Sequence, residues 1–333
     1  MSDDDNPLVR AIAAGARRAY WDILRKLRTP NHWFQEIAVK QRIGLVGIGL
    51  VGTALAENLL AAGYEVIGYD IDTTKCRYLE TLGGVAASAP ADVGRQCRHV
   101  FLPLMTTTIV RQVIEGPAGL LEAPTPPAYI IDTTTGDPDE AAALAQRLAA
   151  RGIAYLDATI SGSSREIRQR QGLFMVGGEK AAFEACRPVL EAVTDRMLHA
   201  GPSGSGAKAK LTVNLVLGLN RLALAEGLVF AERLGLTPRS ALNLLKESYA
   251  YSQVMEGKGE KMVRDDFATD ARLAQHRKDV ALVLQYARHL GLELPLTATH
   301  LEVLDSAIAA GDGDLDNAAV IREVRRRARP RPA

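Results

Sequence analysis

The order of apolar and polar positions divides the chain into an alternating part and a helical part. Between residues 41 and about 200, short β-branched runs alternate with stretches of helical periodicity. Continuous apolar runs are typical of strands that are buried on both faces of a parallel sheet. The predicted strands are residues 43–46, 65–69, 99–102, 129–131, 154–156, 173–176 and 196–198. This pattern predicts an α/β domain with a mostly parallel, doubly wound sheet.

After Gly206 the strand signals stop and only helical periodicity remains. The first predicted helix, residues 207–234, is apolar on nearly every side, which is typical of a helix buried between domains or subunits. Further helices are predicted at residues 238–247, 267–290, 295–310 and 317–327. We therefore expect a Rossmann domain at 41–203 and an all-helical domain at 204–326, joined by the long helix.

Both ends of the chain fall outside these two domains. Residues 1–40 are predicted to be a helical extension, because residues 8–28 carry apolar side chains at helical spacing with arginines on the other faces. Such a helix packs on its own protein or on a second subunit, although an anionic membrane surface is the alternative. The basic tail 327–333 contains two prolines and is expected to be disordered, without a role in nucleic-acid binding.

The composition is that of an ordinary globular protein. Of 333 residues, 47% are hydrophobic and 24% charged, and the net charge of +1 provides no field that would attract nucleic acid. The three cysteines form no CxxC pair, which argues against a disulfide framework or a zinc site. No apolar run reaches the roughly 18 residues of a membrane span. We expect a cytoplasmic protein without stable membrane association.

A glycine-rich motif follows the first predicted strand and opens a helix. The motif is Gly47-Ile48-Gly49-Leu50-Val51-Gly52. Its glycines permit a tight turn, a close approach of a pyrophosphate and close packing of helix on strand. Asp70 ends the second predicted strand, where a carboxylate binds the ribose hydroxyls of NAD and repels a 2′-phosphate. The expected cofactor is NAD; NADP stays possible because Lys75 and Arg77 lie nearby.

Further motifs occur in a fixed order along the chain. They are Asp132-Thr-Thr-Thr135-Gly-Asp-Pro138, Asp157-Ala-Thr-Ile-Ser161-Gly162-Ser163, Phe174-Met-Val-Gly-Gly178, Gly201-Pro-Ser-Gly204-Ser-Gly206 and Lys278-Asp279. Together with the glycine-rich turn, they resemble the β-hydroxyacid dehydrogenase family, which includes 3-hydroxyisobutyrate dehydrogenase and tartronate semialdehyde reductase. The resemblance covers about residues 42–320 and leaves the first 40 residues outside.

The resemblance implies that Lys210 is the general acid/base and that Asn214 positions it. The residues themselves support this, because positions four apart share one face of a helix and the surrounding side chains are apolar. Partial burial would lower the lysine pKa towards neutrality, as a proton shuttle requires. The alternative is that Lys210 extends to water and Asn214 is a packing amide.

The resemblance also implies where the substrate and the cofactor bind. Ser161, Gly162 and Ser163 match the loop that holds the substrate carboxylate, although the family has a second glycine where this chain has Ser163. Arg165, Arg168 and Arg170 follow, and they either bind an extra anionic group or form a solvated face. The residues matched to cofactor binding are Leu102, Pro103, Leu104, Thr135 and Lys278. No histidine pair has metal spacing, so we expect no metal.

The sequence therefore predicts an oxidoreductase that transfers a hydride between NAD(H) and a small 3-hydroxy or ω-hydroxy carboxylic acid, or the matching semialdehyde acid. Two alternatives stay open. An imine reductase-like enzyme is one, although such enzymes generally lack the lysine. A catalytically silent dinucleotide-binding protein is the other, because the substrate loop is altered. A homodimer or homotetramer is expected from the long apolar helix and from the habit of the family.

Overall fold

The computed structural model describes residues 41–328. The predicted helical extension of residues 1–40 and residues 329–333 of the basic tail lie outside the described residues. Residues 41–328 belong to one compact unit.

The central sheet has eight strands in the order β3-β2-β1-β4-β5-β6-β7-β8. The strands are β1 (Arg42–Val46), β2 (Glu65–Tyr69), β3 (Val85–Ala86), β4 (His99–Leu102), β5 (Tyr129–Asp132), β6 (Ala154–Ser161), β7 (Leu173–Gly177) and β8 (Met197–Gly201). All neighbours are parallel except β6 and β7, which pair antiparallel and are connected by residues 162–172, a segment that contains a short helix. The order reverses between β1 and β4, so the carboxyl ends of these strands open onto a crevice.

Seven helices cover the two faces of this sheet. They are α1 (Leu50–Ala61), α2 (Thr73–Thr81), α3 (Pro90–Gln96), α4 (Thr107–Glu115), α5 (Pro138–Ala149), α6 (Ser164–Arg168) and α7 (Lys180–Val193). Several begin at side-chain caps that are local in the sequence: the Asp72 carboxylate accepts the Thr74 N–H, and Asp137 accepts two N–H groups at the start of α5. Apolar side chains on both sheet faces are fully buried, which confirms the predicted doubly wound α/β domain.

The rest of the described chain is helical. Its elements are α8 (Ser205–Arg233), α9 (Pro238–Lys246), a π-helical turn (Met255–Gly259), α10 (Glu260–Arg264), α11 (Leu273–His289), α12 (Pro295–Ala309), a 3₁₀ turn (Asn317–Ala319) and α13 (Val320–Arg327). The predicted helix 267–290 begins later, at Leu273. The backbone N–H groups of Asp270 and Ala271 donate instead to the buried Asp316 carboxylate, which keeps this stretch out of the helix.

Helix α8 connects the sheet to the helical cluster. Its first turns pack against β6 and β7, and its second half contributes Leu222, Leu224 and Leu228 to the helical core. Among residues 41–328 it is the one helix that is long and apolar enough to cross a membrane, a test that core helices of soluble proteins also pass. The long helix places residues from the sheet edge and from the helical cluster beside one another.

Candidate active site

The glycine-rich turn has the geometry of a dinucleotide-binding loop. Gly47 has φ +102°, a left-handed value that favours glycine. A Cβ on Gly52 would lie 2.0 Å from the Gly47 carbonyl oxygen, so only glycine lets α1 start this close to β1. A Cβ on Gly49 would meet nothing within 4 Å. The open side at Gly49, at the N-terminus of α1, fits a pyrophosphate that approaches the backbone of Leu50 and Val51.

Asp70 directly follows β2 and also stabilises the glycine-rich turn. Its Oδ2 accepts the Ile48 N–H at 2.7 Å, and its Oδ1 accepts the Asp72 N–H at 2.9 Å. Lys75 lies 3.5 Å from Oδ1. The carboxylate is therefore fixed at the carboxyl end of β2, beside the glycine-rich turn, where the ribose of a dinucleotide lies in this fold.

The loops that follow β4 and β5 are bonded to each other. The Thr134 hydroxyl donates to the Leu102 carbonyl at 3.0 Å and accepts the Leu104 N–H at 3.1 Å. Below them, Asp132 accepts the Thr134 N–H at 2.8 Å and the Tyr155 hydroxyl at 2.6 Å. Burial raises the pKa of Asp132 to about 6. These bonds hold the segment 102–104 against residues 133–135.

Lys278, on α11, joins this pair of loops to the helical cluster. Its ammonium donates to the Thr135 carbonyl at 2.7 Å and to the Met105 carbonyl at 3.1 Å. The structure thus brings together Thr135, Lys278 and the 102–104 loop, which the sequence places far apart. All of them border the crevice between β1 and β4.

The start of α8 is packed tightly against the sheet. The Asp157 carboxylate accepts the Gly204 N–H at 2.8 Å and the Ala207 N–H at 2.9 Å, so it caps the helix N-terminus. Gly204 has φ +91°, and a Cβ on Gly206 would lie 2.0 Å from the Asp157 carbonyl oxygen. The glycines of this motif therefore fix where α8 leaves the sheet.

Lys210 and Asn214 lie one turn and two turns beyond this junction. The Lys210 ammonium donates to the Ile160 carbonyl at 2.6 Å, which places it beside the loop that begins at Ser161. Burial lowers its pKa, while the nearby Asp279 carboxylate opposes that shift. Asn214 is buried and donates to Asp279 Oδ2 at 3.0 Å.

Asp279 is the residue that sequence reasoning misses. It accepts from Asn214, and its Oδ1 lies 3.0 Å from the Lys278 ammonium. One carboxylate therefore connects the Lys210–Asn214 pair with the lysine that holds the cofactor-side loops. The motif Lys278-Asp279 contained the signal, but Asp279 acquires its partners only when the fold buries it.

The loop at residues 161–163, which the sequence predicts to bind the substrate, offers fewer free donors than its sequence suggests. Ser161 is half-buried at the end of β6, and Gly162 has φ +136°. The Ser163 N–H donates to Glu166 at 2.6 Å, and the Ser163 hydroxyl donates to the same carboxylate. This capping box starts α6, so both donors of Ser163 are committed inside the protein.

Two of the three arginines after this loop bind elsewhere. Arg168 forms an ion pair with Glu57 at 2.6 Å. Arg170 donates to the Ala192 and Glu191 carbonyls at 2.5 and 2.7 Å. Arg165 is exposed. The geometry favours the alternative in which these arginines form a bonded or solvated surface.

No metal centre is found in residues 41–328, where no group of three or more His, Cys, Asp or Glu side chains is placed to hold an ion. The observed groups instead suit a dinucleotide: an open glycine turn, a carboxylate at the end of β2, and loops joined at the crevice.

Comparison with known proteins agrees with this geometry. Residues 42–201 match the family model described as the NAD binding domain of 6-phosphogluconate dehydrogenase. Residues 204–324 match the model described as NAD-binding of NADP-dependent 3-hydroxyisobutyrate dehydrogenase. The cofactor is therefore NAD or NADP.

Three relatives illustrate the similarity. The 2-hydroxy-3-oxopropionate reductase of Escherichia coli is 32% identical over 246 residues, which are 73% of this chain and 84% of that protein. The 2-(hydroxymethyl)glutarate dehydrogenase of Eubacterium barkeri is 33% identical over 67% of this chain and 74% of its own length. The crystal structure of 3-hydroxyisobutyrate dehydrogenase from Salmonella typhimurium has 27% identity and a TM-score of 0.77, covering 85% of this chain and 99% of that one. The chain therefore belongs to the β-hydroxyacid dehydrogenase family of NAD(P)-dependent enzymes.

Proposed function

We propose that this enzyme transfers a hydride between NAD(H) and a small 3-hydroxy or ω-hydroxy carboxylic acid, or its semialdehyde, with Lys210 as general acid/base. The observation that carries the proposal is the position of Lys210. Its ammonium lies at the Ile160 carbonyl beside Ser161, and Asn214, Asp279 and Lys278 connect it with the cofactor-side loops. A proton donor and an anion-binding loop are thus adjacent.

In the direction of reduction, the protein moves a proton while the bound nicotinamide supplies the hydride. Reduction of the carbonyl carbon would place a negative charge on the carbonyl oxygen of the aldehyde acid. Lys210 protonates that oxygen, and the neutral amine left behind regains its proton from water. Asn214 positions the reacting oxygen and the lysine, since its own amide is held by Asp279.

The substrate carboxylate would be bound by the Ser161 hydroxyl and the Gly162 N–H, at the end of β6. Ser163 contributes by starting α6 through its bonds to Glu166 rather than by a direct contact. The loop is also tied to the helical cluster, because the Ser164 hydroxyl donates to the Asp270 carbonyl at 3.1 Å. A Ser161→Ala variant would therefore raise KM more than it lowers kcat.

The proposal is tested by following NADH absorbance with a panel of semialdehyde acids and, in reverse, hydroxy acids. We expect turnover with at least one acid and a loss of about 1,000-fold in kcat for Lys210→Met. Lys208→Met is the matched control, because Lys208 is exposed on the same helix. Full activity of Lys210→Met would reject the lysine mechanism. Tight NADH binding without any turnover would favour the catalytically silent alternative, and turnover of cyclic imines alone would favour the imine reductase-like one.

We further propose that a second copy of the chain covers the exposed side of α8, in a cytoplasmic homodimer or homotetramer. Val216 and Phe230 on this helix are 52% and 66% exposed, and Leu234, directly after it, is 62% exposed. Apolar side chains in such a row mark an association surface. Light scattering of a Phe230→Glu variant tests this: we expect a smaller particle, and co-flotation of the wild type with liposomes would indicate a membrane instead.

A further inference from the structure

Arg221 is a buried cation in the helical cluster. It lies on α8 and is 4% exposed. Among residues 41–328, no acceptor bonds to its Nε or its Nη1. Burial lowers the pKa of Arg221 to about 10, so the guanidinium still carries its charge at neutral pH. A buried charge without a hydrogen-bonded partner is costly, and proteins normally compensate it.

The neighbouring carboxylates cannot supply the missing acceptor. Asp316 accepts from the Lys258 ammonium with both oxygens, at 2.8 and 2.9 Å. It also accepts the backbone N–H groups of Asp270, Ala271 and Ala318. Its lone pairs are therefore occupied, and one of the two nearby cations keeps an unmatched positive charge.

The Asp279 carboxylate forms no ion pair with Arg221, although its Oδ1 accepts no hydrogen bond among the described residues. One oxygen accepts from Asn214, and the other lies against the Lys278 ammonium. The described carboxylates on this side of α8 thus leave Arg221 without an acceptor.

Two buried histidines lie beside Arg221. The rings of His276 and His300 are 5.2 Å apart, and a Cβ on Gly218 would lie within 3.0 Å of both rings. Burial lowers the pKa of His300 to about 4 and that of His276 well below its usual value, with the Arg221 charge adding to both shifts. Both rings are therefore neutral near pH 7 and offer N–H donors. His276 Nε2 has no partner among the described residues.

These groups lie on the same side of α8 as Lys210 and Asn214, the proposed catalytic pair. Lys210, Asn214, Gly218 and Arg221 are spaced so that they lie along one face of the helix. His276 precedes Asp279 by one turn of α11, and Asp279 bonds Asn214. The charge of Arg221 is also one cause of the lowered pKa of Lys210, which indicates that both groups face the same interior.

We propose that Arg221, together with the imidazole N–H groups of His276 and His300, binds a small anion of carboxylate or halide size. The charged guanidinium has no acceptor at Nε or Nη1 and therefore attracts an anion, and neutral imidazoles can donate to the same anion without adding charge. A carboxylate would come from a second acid group of the substrate, and that source rests on the proposed function. A free inorganic anion would not depend on it.

The first experiment uses crystals of the wild-type protein soaked in sodium bromide. We expect an anomalous peak within about 3.5 Å of the Arg221 guanidinium. The melting temperature of the protein without substrate should also rise with bromide at constant ionic strength. Arg221→Met should abolish that rise, whereas Arg264→Met, which removes an exposed arginine of the same cluster, should retain it.

The second experiment identifies the source of the anion. It compares aldehyde monoacids and diacids of equal chain length as substrates. If the anion is a substrate carboxylate, Arg221→Met lowers kcat/KM for diacids by at least about 30-fold more than for monoacids. If it is a free anion, the two substrate classes change equally and the bromide results stand.

Absence of the bromide peak, together with equal changes for both acid classes, would overturn the anion site. Failure of every substrate with the wild-type enzyme would instead overturn the proposed function, and the bromide experiments would still decide the anion site.

Discussion

The junction between the sheet and α8 can be tested by one substitution, because a methyl group at Gly206 would clash with the surrounding backbone. Its Cβ would lie 2.0 Å from the Asp157 carbonyl oxygen, 2.6 Å from the Met175 carbonyl oxygen and 2.8 Å from the Gly177 nitrogen. All three atoms belong to the backbone of buried strands, so a side-chain rotation cannot relieve the clash. Ordinary contact begins near 3.4 Å, and the helix must therefore move by about 1.4 Å.

Such a movement would separate Lys210 from its position. The lysine lies one turn after Gly206, and its ammonium is 2.6 Å from the Ile160 carbonyl. A displacement of that size takes the two atoms beyond hydrogen-bond range. We expect Gly206→Ala to lose about 1–3 kcal/mol of stability by overpacking and about 100-fold in kcat by misplacing the proton donor.

The assay combines urea denaturation with NADH oxidation on the same preparations. Gly227→Ala on the same helix is the control, because its Cβ would meet only Leu245, at 3.9 Å. It should gain about 0.5–1 kcal/mol, since alanine favours a helix interior over glycine. A Gly206→Ala enzyme with unchanged kcat would refute the argument that this junction positions Lys210, even if its stability fell.

Three further predictions concern carboxylates near the site. Asp70→Ala should raise kcat/KM with NADPH relative to kcat/KM with NADH by about 10-fold or more, because it removes the charge that repels a 2′-phosphate. Steady-state kinetics with both cofactors measure this ratio, and an unchanged ratio counts against the assignment. Asp279→Asn should move the alkaline limit of aldehyde reduction to lower pH, because the negative charge of Asp279 raises the pKa of Lys210. A profile of kcat/KM against pH whose alkaline limit moves to higher pH contradicts this. Asp132 has a folded pKa of about 6 against 3.8 for the free group, so the folded protein binds its proton more tightly. Wild-type stability relative to Asp132→Asn should therefore fall by about 2.4 kcal/mol as pH rises from 4 to 7, measured by denaturation at both pH values. An equal difference at both would show that this carboxyl does not titrate as described.

Much of the fold was predictable because its signals are local. The glycine-rich turn carries its own conformational requirement at Gly47, and caps such as Asp72 and Asp137 lie next to the helices that they start. Continuous apolar strands alternating with helices allow few arrangements other than a parallel sheet. The edge strand β3, only two residues long, and the short α10 had no such pattern and were missed.

The candidate site also combines residues with local sequence signals and residues whose partners lie far away in the sequence. Lys210 and Asn214 could be named because their helical spacing and family motif are read directly along the chain. Hydrogen bonds and ion pairs between residues that are far apart in the sequence could not be predicted in that way. The capping box engages both donors of Ser163, and Arg168 pairs with Glu57 on the neighbouring helix α1.

By itself, the sequence determined most of the strands and helices and the presence of a dinucleotide turn, because these depend on spacing within one element. The proton-transfer candidate Lys210 was named through its resemblance to the family motif. Only the tertiary structure decided that Asp279 links Asn214 with Lys278 and that Arg221 is buried beside two neutral histidines. Those outcomes depend on desolvation and on partners from separate helices, and both exist only after the chain has packed.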